Sequence, residues 1–310
     1  MFKRVLAKLG VGSATVNLLL NRDEYTLGDT VEGQILVEGG TVEQHINKID
    51  VDLVMSVRAK ERVFSHSVET ASFHTPFRVA PSEKKVLPFT FTLPNNLPVS
   101  GNAVRYDFVT RLDIADGIDH SDRDPVRILP PERLNRVLRA LGSLGFREKH
   151  DSRSFDGYVQ EFEFFPTDFM RERIEELEFV AALEEDGIRL LLEVDLRTLF
   201  GREKELKREV LLENSLLEDE SALAGHLRGL IGEMVENPER FSGFRFGHRA
   251  HPHQTFSKYG GAIGGLAAGM LGGLVLSELM EETGEAVEEL GEAFEDVGDL
   301  FGDFDIGGED

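Results

Sequence analysis

Residues Tyr25 to Gly40 read YTLGDTVEGQILVEGG. Val31, Gly33, Ile35 and Val37 fall on alternate positions, with Glu32, Gln34 and Glu38 between them. That period of two predicts a half-buried strand, apolar to the core and polar to water. Leu27-Gly28-Asp29 in front of it and Gly39-Gly40 behind it are turn signals. Strands of this kind, bounded by similar turns, recur along the chain and must pair with this one.

Upstream, Val16, Leu18 and Leu20 alternate in a first strand. Downstream, Ile49, Val51, Leu53, Met55 and Val57 alternate with polar residues, and Arg62 to Thr75 reads as an exposed hairpin segment. In LPFTFTLP, Leu87, Phe89, Phe91 and Leu93 face one way, and Pro88 and Pro94 place this strand at an edge or at its own beginning. Tyr106, Phe108, Thr110, Leu112 and Ile114 form another apolar face, and Val126 to Leu129 a last short strand. About seven strands with regular turns predict a sandwich of two sheets over residues 1–130. Ile35, Leu53, Phe91 and Phe108 are expected in its core.

Pro130-Pro131 ends that domain, and Glu132 to Leu144 has helical spacing suited to covering a junction. VQEFEFF at Val159, then Ile174–Leu183 and Ile188–Leu196 about Asp186-Gly187, and a shorter run Lys207–Leu212 predict a second set of strands. Asp219 to Glu236 turns helical, with Leu223, Leu227, Leu230, Ile231 and Met234 on one stripe. Residues 131–239 therefore read as a second sandwich domain with helices, and 240–259, rich in Gly, His, Arg and Phe, as a linker.

The length of 310 residues and 41% hydrophobic content suit two ordinary domains. The absence of cysteine excludes disulfides, zinc thiolates and cysteine nucleophiles, and suits a reducing cytoplasm. At the N-terminus, MFKRVLAKLGVG has Lys8 inside its apolar run and no small-residue cleavage site after it. A short amphipathic turn with Phe2, Leu6 and Leu9 on one face is expected there rather than a secretion signal. The net charge is −23, of which −14 lies between Glu278 and Asp310, where there is no basic residue. This balance argues against a nucleic-acid partner.

LGDTVEGQILVEGG, VEQHINKIDVDLV, VLPFTFTLP and RLDIADGIDHSDRDPVRI, in that order and spacing, resemble the bacterial sporulation-control protein family; FREKH and VQEFEF continue the match. The resemblance covers roughly residues 1 to 236. It implies an arrestin-like fold, two tandem immunoglobulin-like β-sandwiches joined by a hinge, with no catalytic centre. It implies a cytoplasmic regulator acting through protein partners.

A search for chemistry finds no G-x-x-x-x-G-K-[ST], no G-x-G-x-x-G between strand and helix, no G-x-S-x-G and no H-E-x-x-H. No cofactor is expected. Asp116, Asp119, Asp122 and Asp124 read as an acidic loop; such loops can hold calcium, but the spacing is not that of an EF-hand, and turn-forming aspartates are the plainer reading. His248, His251 and His253 in GHRAHPHQ have divalent-metal spacing without a carboxylate among them, against the reading of a polar linker.

The tail, 260–310, is a different material. Gly261, Gly265, Gly269 and Gly273 recur every four residues, and on a helix they make one smooth face opposite Ile263, Leu266, Met270 and Leu274. The glycines of this run would cost a solvated helix roughly 7 kcal/mol relative to alanine, so it calls for a membrane, a second copy or a groove, or is a linker. Gly260–Ser277 carries no charge and lies at the short end of a membrane span. Beyond it, GEAVEEL, GEAFEDV and GDLFGDF repeat, placing Leu290, Phe294, Val297 and Phe301 on a seam with an acidic opposite face. A basic partner surface or self-docking suits that face better than a homomeric coil, although a homo-oligomer is not excluded by sequence. The leading function class is thus a regulatory or scaffolding protein. The alternative is a membrane-associated adaptor anchored by the glycine-rich tail, and a hydrolase using scattered carboxylates ranks third.

Overall fold

A computed structural model describes residues 12–59, 62–115, 117–156, 159–197 and 204–242. The N-terminal amphipathic turn, Asp116, the histidine run and the whole glycine-rich and acidic tail lie outside the described residues.

The fold is mainly β, in two sheet-rich units with a few short helices. In the first unit, β1 (Thr15–Leu20), β3 (Thr30–Glu38) and β7 (Lys84–Thr92) make a three-stranded antiparallel sheet in the order β1-β3-β7. The larger sheet runs β2-β9-β8-β4-β5, from β2 (Glu24–Thr26), β9 (His120–Leu129), β8 (Val104–Ile114), β4 (Gln44–Ala59) and β5 (Arg62–Phe73); β6 (Phe77–Val79) also pairs with β4.

The opening stretch thus divides into β2, a turn and β3. Gly28 sits at φ +82°, a left-handed conformation glycine adopts without a Cβ penalty. Gly33 lies so close to β1 that a Cβ would come within 2.5 Å of the Leu19 carbonyl oxygen. Val31, Ile35 and Val37 are buried, as the alternation requires. So are Leu53, Phe91 and Phe108, and the sheets close on each other through Phe108, edge-on to Phe89 and Phe91 at 5.6 and 5.4 Å between centroids. Pro88 falls within β7, and β7 is an edge strand.

One strand was under-read. Val126 to Leu129 is only the end of β9, which begins at His120. The aspartates hid the strand because they occupy inward positions where apolar residues are expected. Asp122 has a backbone task instead, which it shares with His120. β1 pairs with β3 on one side only, and on its other side the Val16 N–H donates to His120 Nδ1 at 3.2 Å and the Leu18 N–H to Asp122 Oδ2 at 3.0 Å. Side chains of β9 thereby stand in for a neighbouring strand.

The second unit is built on one antiparallel sheet, β10-β12-β13-β14-β15, from β10 (Phe146–Glu148), β12 (Gln160–Pro166), β13 (Ile174–Leu183), β14 (Gly187–Leu196) and β15 (Lys204–Glu213), with β11 (Ser154–Phe155) also on β12. The hairpin expected about Asp186-Gly187 joins β13 to β14, with Leu183 opposite Ile188. Among the described residues four helices follow the chain: α1 (Glu132–Ser143), α2 (Asn214–Leu217), α3 (Glu220–Glu236) and α4 (Pro238–Phe241). Asp219 caps α3 by accepting from the Ala222 N–H at 2.9 Å. The expected stripe Leu223, Leu227, Leu230, Ile231 and Met234 is buried, and α3 packs on α1 and β14.

Helices therefore cover one face of this sheet; among the described residues no second sheet closes over it. Alternation alone cannot say whether a helix or a sheet covers a strand's apolar face. The α1 helix packs on α2, α3 and β10 and so belongs with the second unit rather than lying over the junction. Arg133 ties it there, donating to Glu184 O at 2.9 Å and Asn214 Oδ1 at 2.9 Å.

Candidate functional site at the junction of the two units

The units meet through a polar clasp. Val99, in the segment between β7 and β8, donates its N–H to Gln160 Oε1 at 2.7 Å and accepts from Gln160 Nε2 at 2.9 Å. The glutamine is fully buried, and its amide copies the donor and acceptor pattern of a strand neighbour. Gln160 Nε2 also reaches Arg153 O at 3.1 Å. Arg153 donates from Nη1 to Ser100 O at 3.1 Å and holds both Glu148 carboxylate oxygens, at 2.7 and 3.1 Å. Its backbone lies at φ +65°, uncommon for a side chain of this size. A Cβ on Gly101 would sit 2.9 Å from Arg153 Cβ, so the close approach depends on glycine. Asn102 Nδ2 donates to the His150 carbonyl.

Beside the clasp opens a cleft of about 730 Å³. Arg105, Arg127, Lys149 and His150 line it together with Asp23, Asp107 and Glu148. These are groups for polar recognition; no nucleophile, base and orienting acid stand in sequence within hydrogen-bond reach of one another. Nothing in the sequence singled the clasp out, because Gln160 reads there as one more residue before an apolar run.

Of the acidic group read from the sequence, Asp119, Asp122 and Asp124 are described, and Asp122 and Asp124 stand together on β9. Asp119 Oδ1 accepts from the Ile114 N–H at 2.9 Å, Asp122 serves β1, and Asp124 follows it on β9. Burial pushes the Asp124 carboxyl up to about 7, with the charge of neighbouring Asp122 adding to it. A second group of carboxylates converges on the face of the second sheet turned away from the helices. Glu163, Glu178, Glu193 and Lys207 stand directly across successive strands from β12 to β15. Like charges opposite one another are unfavourable. Burial, then repulsion from Glu161, Glu176, Glu193 and Asp195, pushes Glu178 up to about 8. Burial likewise raises Glu193 to about 7, against the pull of Lys207. Oxygens of Glu163, Glu176 and Glu178 come within 4.8 Å of one another, a spacing that could hold an ion. The Lys149 ammonium already serves as their cation, 3.4 Å from Glu163 and paired with Glu176.

A family model described as SpoOM protein matches residues 2–198. The chain belongs to the SpoOM protein family. The sporulation-control protein spo0M of Bacillus subtilis (strain 168) is 32% identical over 257 residues, which cover 76% of this chain and 99% of that protein. The crystal structure of Spo0M, the sporulation control protein from Bacillus subtilis, superposes with a TM-score of 0.60 at 32% identity, covering 72% of this chain and 99% of that one. SpoOM proteins are non-enzymatic regulators, which is the regulatory, protein-interaction class read from the sequence. Among the described residues no helix is long and apolar enough to cross a membrane.

Proposed function

We propose that this chain is a sporulation-control regulator of arrestin-like build, with domains at residues 1–130 and 131–239, a linker at 240–259 and an interaction tail at 260–310. The junction acts as its hinge and the cleft beside it as a partner-docking site. The observation that supports this most is the clasp itself: Gln160, Arg153 and Asn102 bond across the junction beside an apolar core that runs through both units, and relative motion is the ordinary expectation between domains of one chain. Partner binding that favours one relative placement would then shift the pair between states. The test is complementation of a Bacillus subtilis strain lacking its own sporulation-control protein, with the chain's abundance checked by immunoblot. Restored spore counts are expected from the wild-type chain and reduced counts from Gln160→Leu. Wild-type chain present at normal abundance with no effect on sporulation would overturn the proposal.

A membrane-associated adaptor is the second reading, favoured by the uncharged run Gly260–Ser277. Flotation with vesicles of the full-length chain and of a chain ending at Ser242 separates the two: equal flotation removes the membrane reading.

A further inference from the structure

Each of the two long sheets turns one face away from its main core, and the two faces place their charges differently. On the second sheet that face carries the glutamate row described above. On the first unit's larger sheet it carries Arg58, Arg105, Arg111, Arg123 and Arg127, all pointing outward from β4, β8 and β9. The arginine side chains reach water: Arg111, Arg123 and Arg127 are 53%, 58% and 66% exposed. The acids of the same face are sunk beneath them, with Asp52, Asp50 and Asp107 only 2%, 11% and 18% exposed. Thr70 and Ser72 hydroxyls on β5 donate to Asp52 and Asp50 and help hold them down. Glu24 and Asp113 lie at the margins. Arg105 and Arg127 sit one step beyond the Tyr106–Val126 pair, side by side; Arg127 pairs with Glu24, and Arg105 has no carboxylate partner among the described residues. Two adjacent guanidinium groups, of which only Arg127 has a carboxylate partner, repel unless a further anion joins them.

The chain itself supplies that anion. Glu278–Asp310 contains fourteen acidic residues and no basic one. Thirty-five residues, 243–277, separate it from the last described residue, a tether that can extend to roughly 115 Å. That exceeds the length of either sheet several-fold, so the arginine face is within reach. Val54, Val109 and Pro125 lie among the arginines and offer apolar contact to Phe294 and Phe301.

We propose that the acidic tail segment Glu278–Asp310 docks on the arginine face of the chain's own larger sheet, over β4, β8 and β9. Arg105 and Arg127 of that face also line the junction cleft. The docking stands on charge and reach and is independent of the regulatory role proposed above.

The chain lacks cysteine, so two engineered cysteines give an unambiguous spin-label pair. Labels at Ser121→Cys on β9 and Thr283→Cys in the tail of the full-length chain are measured by pulsed electron resonance. A short-distance population is expected at low salt. It should fall at least ~two-fold at 1 M salt, where screening acts within about 3 Å. The combined substitution Arg105→Gln, Arg123→Gln and Arg127→Gln should abolish it, with folding checked by circular dichroism. A second variant leaves the sheets untouched: Glu285, Glu288, Glu289, Glu292 and Glu295, all to Gln, should abolish it equally. Distance distributions unchanged in both variants would overturn the proposal. So would loss of the short distance on dilution with excess unlabelled chain, which would place the contact between two copies.

Discussion

Phe108 meets both phenylalanines of β7 edge-on and is fully buried, so it carries the contact between the two sheets of the first unit. Phe108→Ala is expected to cost about 3–5 kcal/mol of folding free energy, read by chemical denaturation. A loss under ~1 kcal/mol would mean that the sheets do not close on this ring. Glu178 makes a different kind of prediction. Its carboxyl sits at about 8 when folded against an ordinary 4.5, so between those values the folded chain holds a proton that the unfolded chain has released. Stability from this group is therefore complete below pH 4.5, declines as pH rises, and is gone above about 8. Glu178→Gln should flatten the decline in Tm across that window and raise Tm at its alkaline end; parallel curves for the two proteins would contradict the assignment. Both residues were visible in the sequence, but only one for what it does. Phe108 lies on an apolar alternation, which is a local pattern. The crowding at Glu178 arises from three strands brought together, and no stretch of the chain contains it.

Among the elements, the two longer helices, α1 and α3, are legible to within a residue or so because their signals are short-range, whereas the single turns α2 and α4 carry too few residues to show a period. Asp219 shows why: a capping carboxylate acts on an N–H three residues away. Asp219→Ala should lower stability by about 1 kcal/mol, with Asp219→Asn close to neutral. Equal losses in the two variants would argue that the charge, not the cap, is what matters. Strand β9 was only partly legible, because His120 and Asp122 answer to β1, which lies 104 residues earlier. The covering of the second sheet failed for a related reason. Its inner residues alternate as they would in a sandwich, and what lies over them is decided by α1 and α3, outside the strands themselves.

For the whole molecule, the proposed hinge rests on the clasp. Gln160→Leu keeps the volume of the side chain but leaves the Val99 N–H and C=O without partners, at a cost of about 1–3 kcal/mol for each buried group. The units should separate more readily, which hydrogen exchange would show as faster exchange at Val99 and Ser100 with β3 and β14 unchanged. Uniform acceleration across the chain would instead point to general destabilisation. Gln160 is legible as a functional residue only once the units are seen together, since its partner lies 61 residues away.

The arrangement at β1 also bears on how the chain is made. Of the described strands the ribosome releases Thr15–Leu20 before the others, and β3 follows soon enough to pair with one side. The other side waits for His120 and Asp122, 104 residues later. At typical rates of synthesis that interval is roughly 5–20 s. Through it the nascent strand carries bare backbone donors, open to chance pairing with another nascent chain on the same message. The full set of bonds closes only when β9 emerges, so the earliest-made strand is among the last to be finished, and a pause in translation before His120 would prolong its exposure.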